Sequence, residues 1–211
     1  MFRKIFGFDS DLMIVMGWIT DAIFLSLFWL LGCLLVITAG ASSTALYDSV
    51  FYAFRKRNRH SWGRFWKTYF RNLKASLLPT VVCSLVCIGV GYVDVQLWNN
   101  AVAEGNWLAF AVVAVISLVV LGMVSVLFPM LSRFENSFGR LLGNTVRIAL
   151  ANMPRTVLLG VLYGVTIFAC ARWVIPVFIL PALVALLSSC LVEPMFRPYL
   201  PADFYEIISE D

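Results

Sequence analysis

Residues Ser61 to Val93 constrain this chain more than any other stretch. Trp62, Phe65, Trp66, Tyr69, Phe70 and Leu73 fall at i, i+3, i+4, i+7, i+8 and i+11, which makes one apolar stripe on a 3.6-residue helix. Arg64, Lys67, Arg71, Asn72 and Lys74 sit largely on the other side. From Ala75 to Val93 there is then no charge in 19 residues. The pattern predicts a basic amphipathic helix lying at the water–lipid boundary, with Trp62, Phe65, Trp66, Tyr69 and Phe70 as its membrane-interface residues. That helix runs directly into one long enough to cross the hydrocarbon.

Composition agrees. Charged residues make up 13% of the 211-residue chain and hydrophobic residues 61%, whereas a soluble domain carries about 25% charge. The excess apolar surface has to face lipid. The chain is therefore expected to form a single integral membrane domain over residues 1–211, all-α, with no room for a soluble catalytic domain beside the spans.

Further apolar segments cover about Leu12 to Ile37, Ser42 to Phe54, Trp107 to Ser132 (26 residues without a charge), Thr156 to Ala171 and Trp173 to Val192. Arg133 to Pro154 is a second basic amphipathic stretch. The chain up to Asp11 has no small-residue cleavage site behind a short apolar core, so it reads as a retained tail. Of 16 Lys and Arg, eight lie in 55–74 and four in 133–155, which places those two regions in the cytoplasm by the positive-inside rule. The turn from Trp98 to Trp107 then faces outward, and Arg172 does likewise.

If Ser42 to Phe54 crosses, there are six helices and the N-terminus is inside; otherwise there are five. A weak internal repeat, about 42–98 on 118–172, favours six. At an offset of 76, Gly63-Arg64 falls on Gly139-Arg140, Phe70-Arg71 on Val146-Arg147 and Thr80-Val81 on Thr156-Val157. The expected architecture is a polytopic bundle with six helices in or across the membrane, one of them short. Two amphipathic cytoplasmic surface helices accompany it, and both termini are cytoplasmic.

Candidate chemistry is sparse. All five cysteines lie in apolar runs and read as small hydrophobes. His60 is the only histidine, so no metal site is expected. Cofactors are likewise not expected. Asp21 and Asp48 are the intramembrane acids, functional candidates because a carboxylate in hydrocarbon is costly. Asp48 lies about two turns from Arg55, and structural pairing is the first reading for both acids, ahead of partner contact and of ion or proton coupling. Gly160 and Gly164 form a GxxxG helix-packing pair, used within the fold in preference to association with another subunit. Pro129, Pro176 and Pro181 predict kinks. Arg133, Phe134, Glu135 and Asn136 mix both charges with an amide where a span leaves the membrane, and are read as a helix-capping or partner-contact site. The basic stripe of 55–74 suits anionic lipid headgroups. Nucleic acid is a poor match, because the aromatics that could stack bases are committed to lipid. No phosphate-binding glycine loop, nucleophile triad or HExxH motif is present, so no enzyme activity is expected.

Three blocks together resemble the YesL family of bacterial integral membrane proteins. Val36-Ile37-Thr38-Ala39-Gly40 through Thr44-Ala45-Leu46-Tyr47 is similar to its turn, and Phe65 to Lys74 is similar to its surface helix. The third block is Leu127 to Asn136, with Asn152 to Thr156 further on. The chain departs from the family at Leu35 and Ala39, where proline and a larger apolar residue are usual. The resemblance carries over no catalytic or ligand residues. It implies context, because such proteins are commonly encoded beside carbohydrate ABC importers and sugar-responsive two-component systems. The function so implied is a non-enzymatic accessory subunit of such an importer, with the lipid bilayer and ABC permease subunits as partners. A small transporter or channel, and a membrane-embedded regulator of a two-component system, are the alternatives.

Overall fold

The computed structural model describes residues 11–55, 61–134, 137–173 and 175–200. Among these there are seven α-helices and no strand: α1 (Asp11–Cys33), α2 (Ala39–Val50), α3 (Ser61–Glu104), α4 (Trp107–Arg133), α5 (Phe138–Ala151), α6 (Met153–Arg172) and α7 (Leu180–Phe196). Five are long and apolar enough to cross a membrane: α1, α3, α4, α6 and α7 with its following turn.

The break after α1 is closed by Thr38, whose hydroxyl donates to the carbonyls of Gly32 (2.7 Å) and Leu35 (2.8 Å). A π-helical turn, Phe51–Arg55, continues α2. The α3–α4 hairpin turns at Gly105, whose φ of 75° lies where side chains are disfavoured. Asn106 then caps α4 by accepting from the Ala109 amide.

The neighbours alternate in direction. Gly40 lies against Thr80 while Asp48 meets Thr68, so α2 is antiparallel to α3. Asp94 meets Ser117 and Gly40 also lies against Phe128, so α4 returns along α3. Gly122 faces Thr156 and Gly160 faces Leu118, which makes α6 antiparallel to α4.

Several expectations need correction. The surface helix and the span expected within 62–97 are one unbroken helix of 44 residues. At 1.5 Å per residue α3 is about 66 Å long, roughly twice the ~30 Å hydrocarbon layer. Its first turns therefore run into the charge-free segment without a break, where two separate helices were expected. Lys74 and Asp94 bracket the charge-free part, 20 residues or ~30 Å apart. The helix runs through Pro79, and on either side of it the Ser76 and Thr80 hydroxyls donate to the carbonyls of Leu73 and Ser76.

The last segment also differs. Ile175 to Ile179 is not α-helical: Pro176 sits in a short 3₁₀ turn, Ile175–Phe178, and Pro181 falls in the first turn of α7. The helix therefore starts seven residues later than Trp173 and runs past Val192 through Glu193 to Phe196.

The helices are staggered along α3. α1 runs parallel to its first turns: Asp21 meets Ser61 and Trp62, Phe28 packs on Phe65 at 5.8 Å between ring centroids, and Gly32 lies beside Tyr69. Further along, α4 packs against the charge-free part and α6 packs against α4. α2 is enclosed by its own chain, with all residues from Thr44 to Ala53 buried. At the 76-residue offset, α5 and α6 fall on 62–75 and 77–96, where the chain is a single helix.

The inward face of α3 is not its aromatic stripe. Ser61, Phe65, Thr68, Asn72, Ser76, Thr80 and Cys83 are buried, while Trp62, Trp66 and Phe70 are exposed and Tyr69 is half-buried. The small and hydroxyl residues lie against α2, itself rich in Gly, Ala, Ser and Thr, so the two backbones approach closely.

Candidate functional site: a buried charge cluster

Where α2, α3, α4 and α7 meet, four charged side chains come together. The Arg133 side chain is 2% exposed, Asp48 1% and Glu193 5%. Arg133 Nη1 donates to Asp48 Oδ1 at 2.8 Å, and its Nη2 and Nε donate to Glu193 Oε1 at 3.0 and 3.3 Å. The planar guanidinium forks between two carboxylates from different helices, which a lysine could not do with the same geometry. The Phe51 ring centroid lies 4.6 Å from the same guanidinium.

Each carboxylate has further donors. Asp48 Oδ2 accepts from Arg64 Nε and from the Thr68 hydroxyl, both at 2.9 Å. Glu193 Oε1 also accepts from the Tyr47 hydroxyl at 3.0 Å. Arg64, 28% exposed, packs its guanidinium 3.1 Å from the centre of the Tyr52 ring. Among the described residues two carboxylates thus face two guanidiniums, and their formal charges balance. Burial of ions is costly unless their charges and hydrogen-bonding positions are matched, and here they are closely matched.

A second, smaller site lies at Asp21. Its Oδ1 accepts from the Trp62 indole at 2.9 Å and from the Ser61 hydroxyl at 3.3 Å, tying α1 to the start of α3. Trp62 is 41% exposed, so this acid sits near the surface of the bundle. Asp94, midway along the hairpin, accepts from Ser117 at 2.9 Å.

The sequence-predicted residues separate accordingly. Asp48 lies in the cluster, paired with Arg64 and Arg133 across the fold. Asp21 does not join it. Of the set read as capping or partner contact, Arg133 turns inward, because its fork is spent on Asp48 and Glu193, and that corrects its placement. Phe134 is half-buried and packs edge-on against Phe196 at 5.7 Å, while Glu135 and Asn136 lie outside the described residues. Among the interface aromatics, Phe65 is fully buried and so is not a lipid contact, since it packs under Phe28. Gly160 sits where a Cβ would strike the Leu118 carbonyl of α4, and Gly164 sits over the Leu118 and Leu121 side chains.

Glu193, Arg64, Tyr47 and Thr68 are members the sequence reading passed over. The available signal was the run Thr68, Asn72, Ser76, Thr80 at i+4 spacing. It marks a hydrophilic face without charge, suited to packing.

Five helices long and apolar enough to cross a membrane point to the class, a polytopic helical membrane protein, and three of them meet α2 at the buried charge cluster. A DUF624 domain, described as a protein of unknown function, is found over residues 22–95. It takes in α2 and the Asp48, Arg64 and Thr68 part of the cluster; Arg133 and Glu193 lie beyond it. No curated protein matches the chain, and neither does any solved structure.

Proposed function

We propose that this chain is a YesL-like, non-enzymatic accessory subunit of a carbohydrate ABC importer in the bacterial cytoplasmic membrane. It would assemble, stabilise or regulate the permease through packed contacts. The observation that carries this reading is the closed cluster. The acid pair an enzymatic or proton-coupled mechanism would need, Asp21 with Asp48, is divided between two sites, and each acid is engaged by its own donors. A charge-balanced cluster locking four helices favours a rigid scaffold over a pathway. The link to sugar import comes from the YesL resemblance, which the DUF624 domain supports because YesL belongs to that family. Affinity purification in mild detergent is expected to recover permease and ATPase subunits at fixed stoichiometry. If the chain purifies alone and vesicles holding it alone move a solute, the proposal fails.

The proposed orientation has both termini in the cytoplasm, six helices in or across the membrane with α2 the short one, and α5 on the inner leaflet. α5 suits that position: Leu141, Thr145, Ile148 and Ala149 are buried, and Arg140 and Arg147 are exposed. A cysteine at Asn100, in a chain whose native cysteines are replaced by serine, is expected to react with an impermeant maleimide added to intact cells. Reaction only after the cells are opened would reverse the orientation.

A further inference from the structure

A cavity of about 450 Å³ lies between α1, α2, α4, α6 and α7. We propose that it binds one acyl chain of a bilayer phospholipid. Among the described residues no charged side chain lines it; its walls include Trp29, Leu46, Phe128, Val184 and Ile167, and Tyr47 is part of its lining.

The lining is mostly apolar, and besides the Tyr163 hydroxyl and the Cys170 thiol its side-chain polar groups are already engaged. Ser43 accepts from the Trp29 indole at 3.1 Å, Ser125 and Thr166 donate to the carbonyls of Leu121 and Leu162 at 2.7 Å each, and the Tyr47 hydroxyl donates to Glu193. A carbohydrate entering here would lose its water and find few partners, a large penalty for each unpaired hydroxyl. A partner helix fits no better: a cylinder about 10 Å across fills this volume with little more than one turn. A hydrocarbon chain meets neither obstacle. An apolar cavity of only ~150 Å³ already takes up benzene and stays dry, and this one is about three times larger.

The mouth identifies the source of the chain. Ile167, on the α6 wall, is 56% exposed, and its neighbour Phe168 is 70% exposed. The cavity wall is thus continuous with a surface that faces hydrocarbon in a membrane, where the solvent able to fill a void is lipid itself. The inner end touches Tyr47, whose hydroxyl is bonded to the charge cluster. An acyl chain seated there packs against a side chain that holds Glu193 in place.

The test uses the full chain reconstituted in phosphatidylcholine vesicles containing a phosphatidylcholine with a diazirine halfway along one acyl chain. After illumination and digestion, mass spectrometry locates the adducts. Label is expected on Tyr47, Leu46 or Val184, all buried from the outer surface, as well as on exposed Phe168. Val184→Phe and Thr166→Trp each fill the cavity from a different helix, and in either variant the buried adducts are expected to be lost while label on Phe168 remains. Two results would overturn the proposal: label confined to outward-facing residues in the unaltered protein, or buried adducts undiminished in both variants. If neither variant folds, the distribution of label in the unaltered protein decides.

Discussion

Arg133→Met is expected to cost about 3–5 kcal/mol of stability, the usual penalty for leaving one side of a buried ion pair uncompensated. Since folded proteins hold only ~5–15 kcal/mol in reserve, the variant should lose most of its folded population in mild detergent or melt far below the parent. The reason lies in what remains. Asp48 and Glu193, both almost fully enclosed, would keep their charges without the guanidinium that bridges them. Arg64 reaches only Asp48 among the two, so Glu193 would lose the bridging guanidinium while keeping its bond from the Tyr47 hydroxyl. The companion variant is decisive: Arg133→Met combined with Asp48→Asn and Glu193→Gln removes all three charges together and should recover much of the loss. Thermal unfolding followed by the monodisperse fraction on size exclusion reads both. If Arg133 instead served a partner surface, Arg133→Met would leave the isolated protein's stability unchanged and abolish only co-purification; that outcome would remove the cluster from the account of the fold.

Gly160→Ala is expected to destabilise the isolated chain, and Gly164→Ala to leave it within ~0.5 kcal/mol of the parent, as for substitutions away from tight features. A Cβ at Gly160 would run into the Leu118 carbonyl, and one at Gly122 would run into the Thr156 carbonyl, so the α4–α6 crossing is held by a reciprocal pair of glycines. Backbone cannot rotate aside as a side chain can, so the helices must separate, at about 1–3 kcal/mol or more for an overpacked contact. A Cβ at Gly164 would meet only the tips of Leu118 and Leu121, at 3.6 and 3.8 Å, ordinary contacts. Thermal unfolding at several protein concentrations separates the two uses of the motif. A concentration-independent drop for Gly160→Ala and Gly122→Ala means packing within the chain. A drop seen only through loss of an oligomer would assign the glycines to a subunit interface.

The difference between the two glycines was not legible in the spacing, which treats them alike. It depends on where α4 crosses α6, and the crossing brings Leu118 level with Gly160. The proline-bearing stretch after Arg172 is similar. Its residues read as a continuous apolar span, and the structure begins α7 only at Leu180, because Pro176 and Pro181 each lack the amide a helix interior requires. The same helix runs on past Val192, and Glu193 lies buried in the core.

By itself the sequence determined that the chain is helical, where most of its long apolar helices run, and which acids stand within apolar segments. Those properties follow from local periodicity and from the absence of charge over bilayer-length runs. Only the tertiary structure decided which faces meet. In water an apolar stripe points inward by default; beside lipid, which is as apolar as a protein core, that rule has no sign. The aromatic stripe of α3 is accordingly left mostly outward, and its hydroxyl stripe is packed against α2. The cluster joins partners 16, 60, 85 and 146 residues apart. No local pattern encodes such pairings, because they exist only once four helices have brought the charges out of water together.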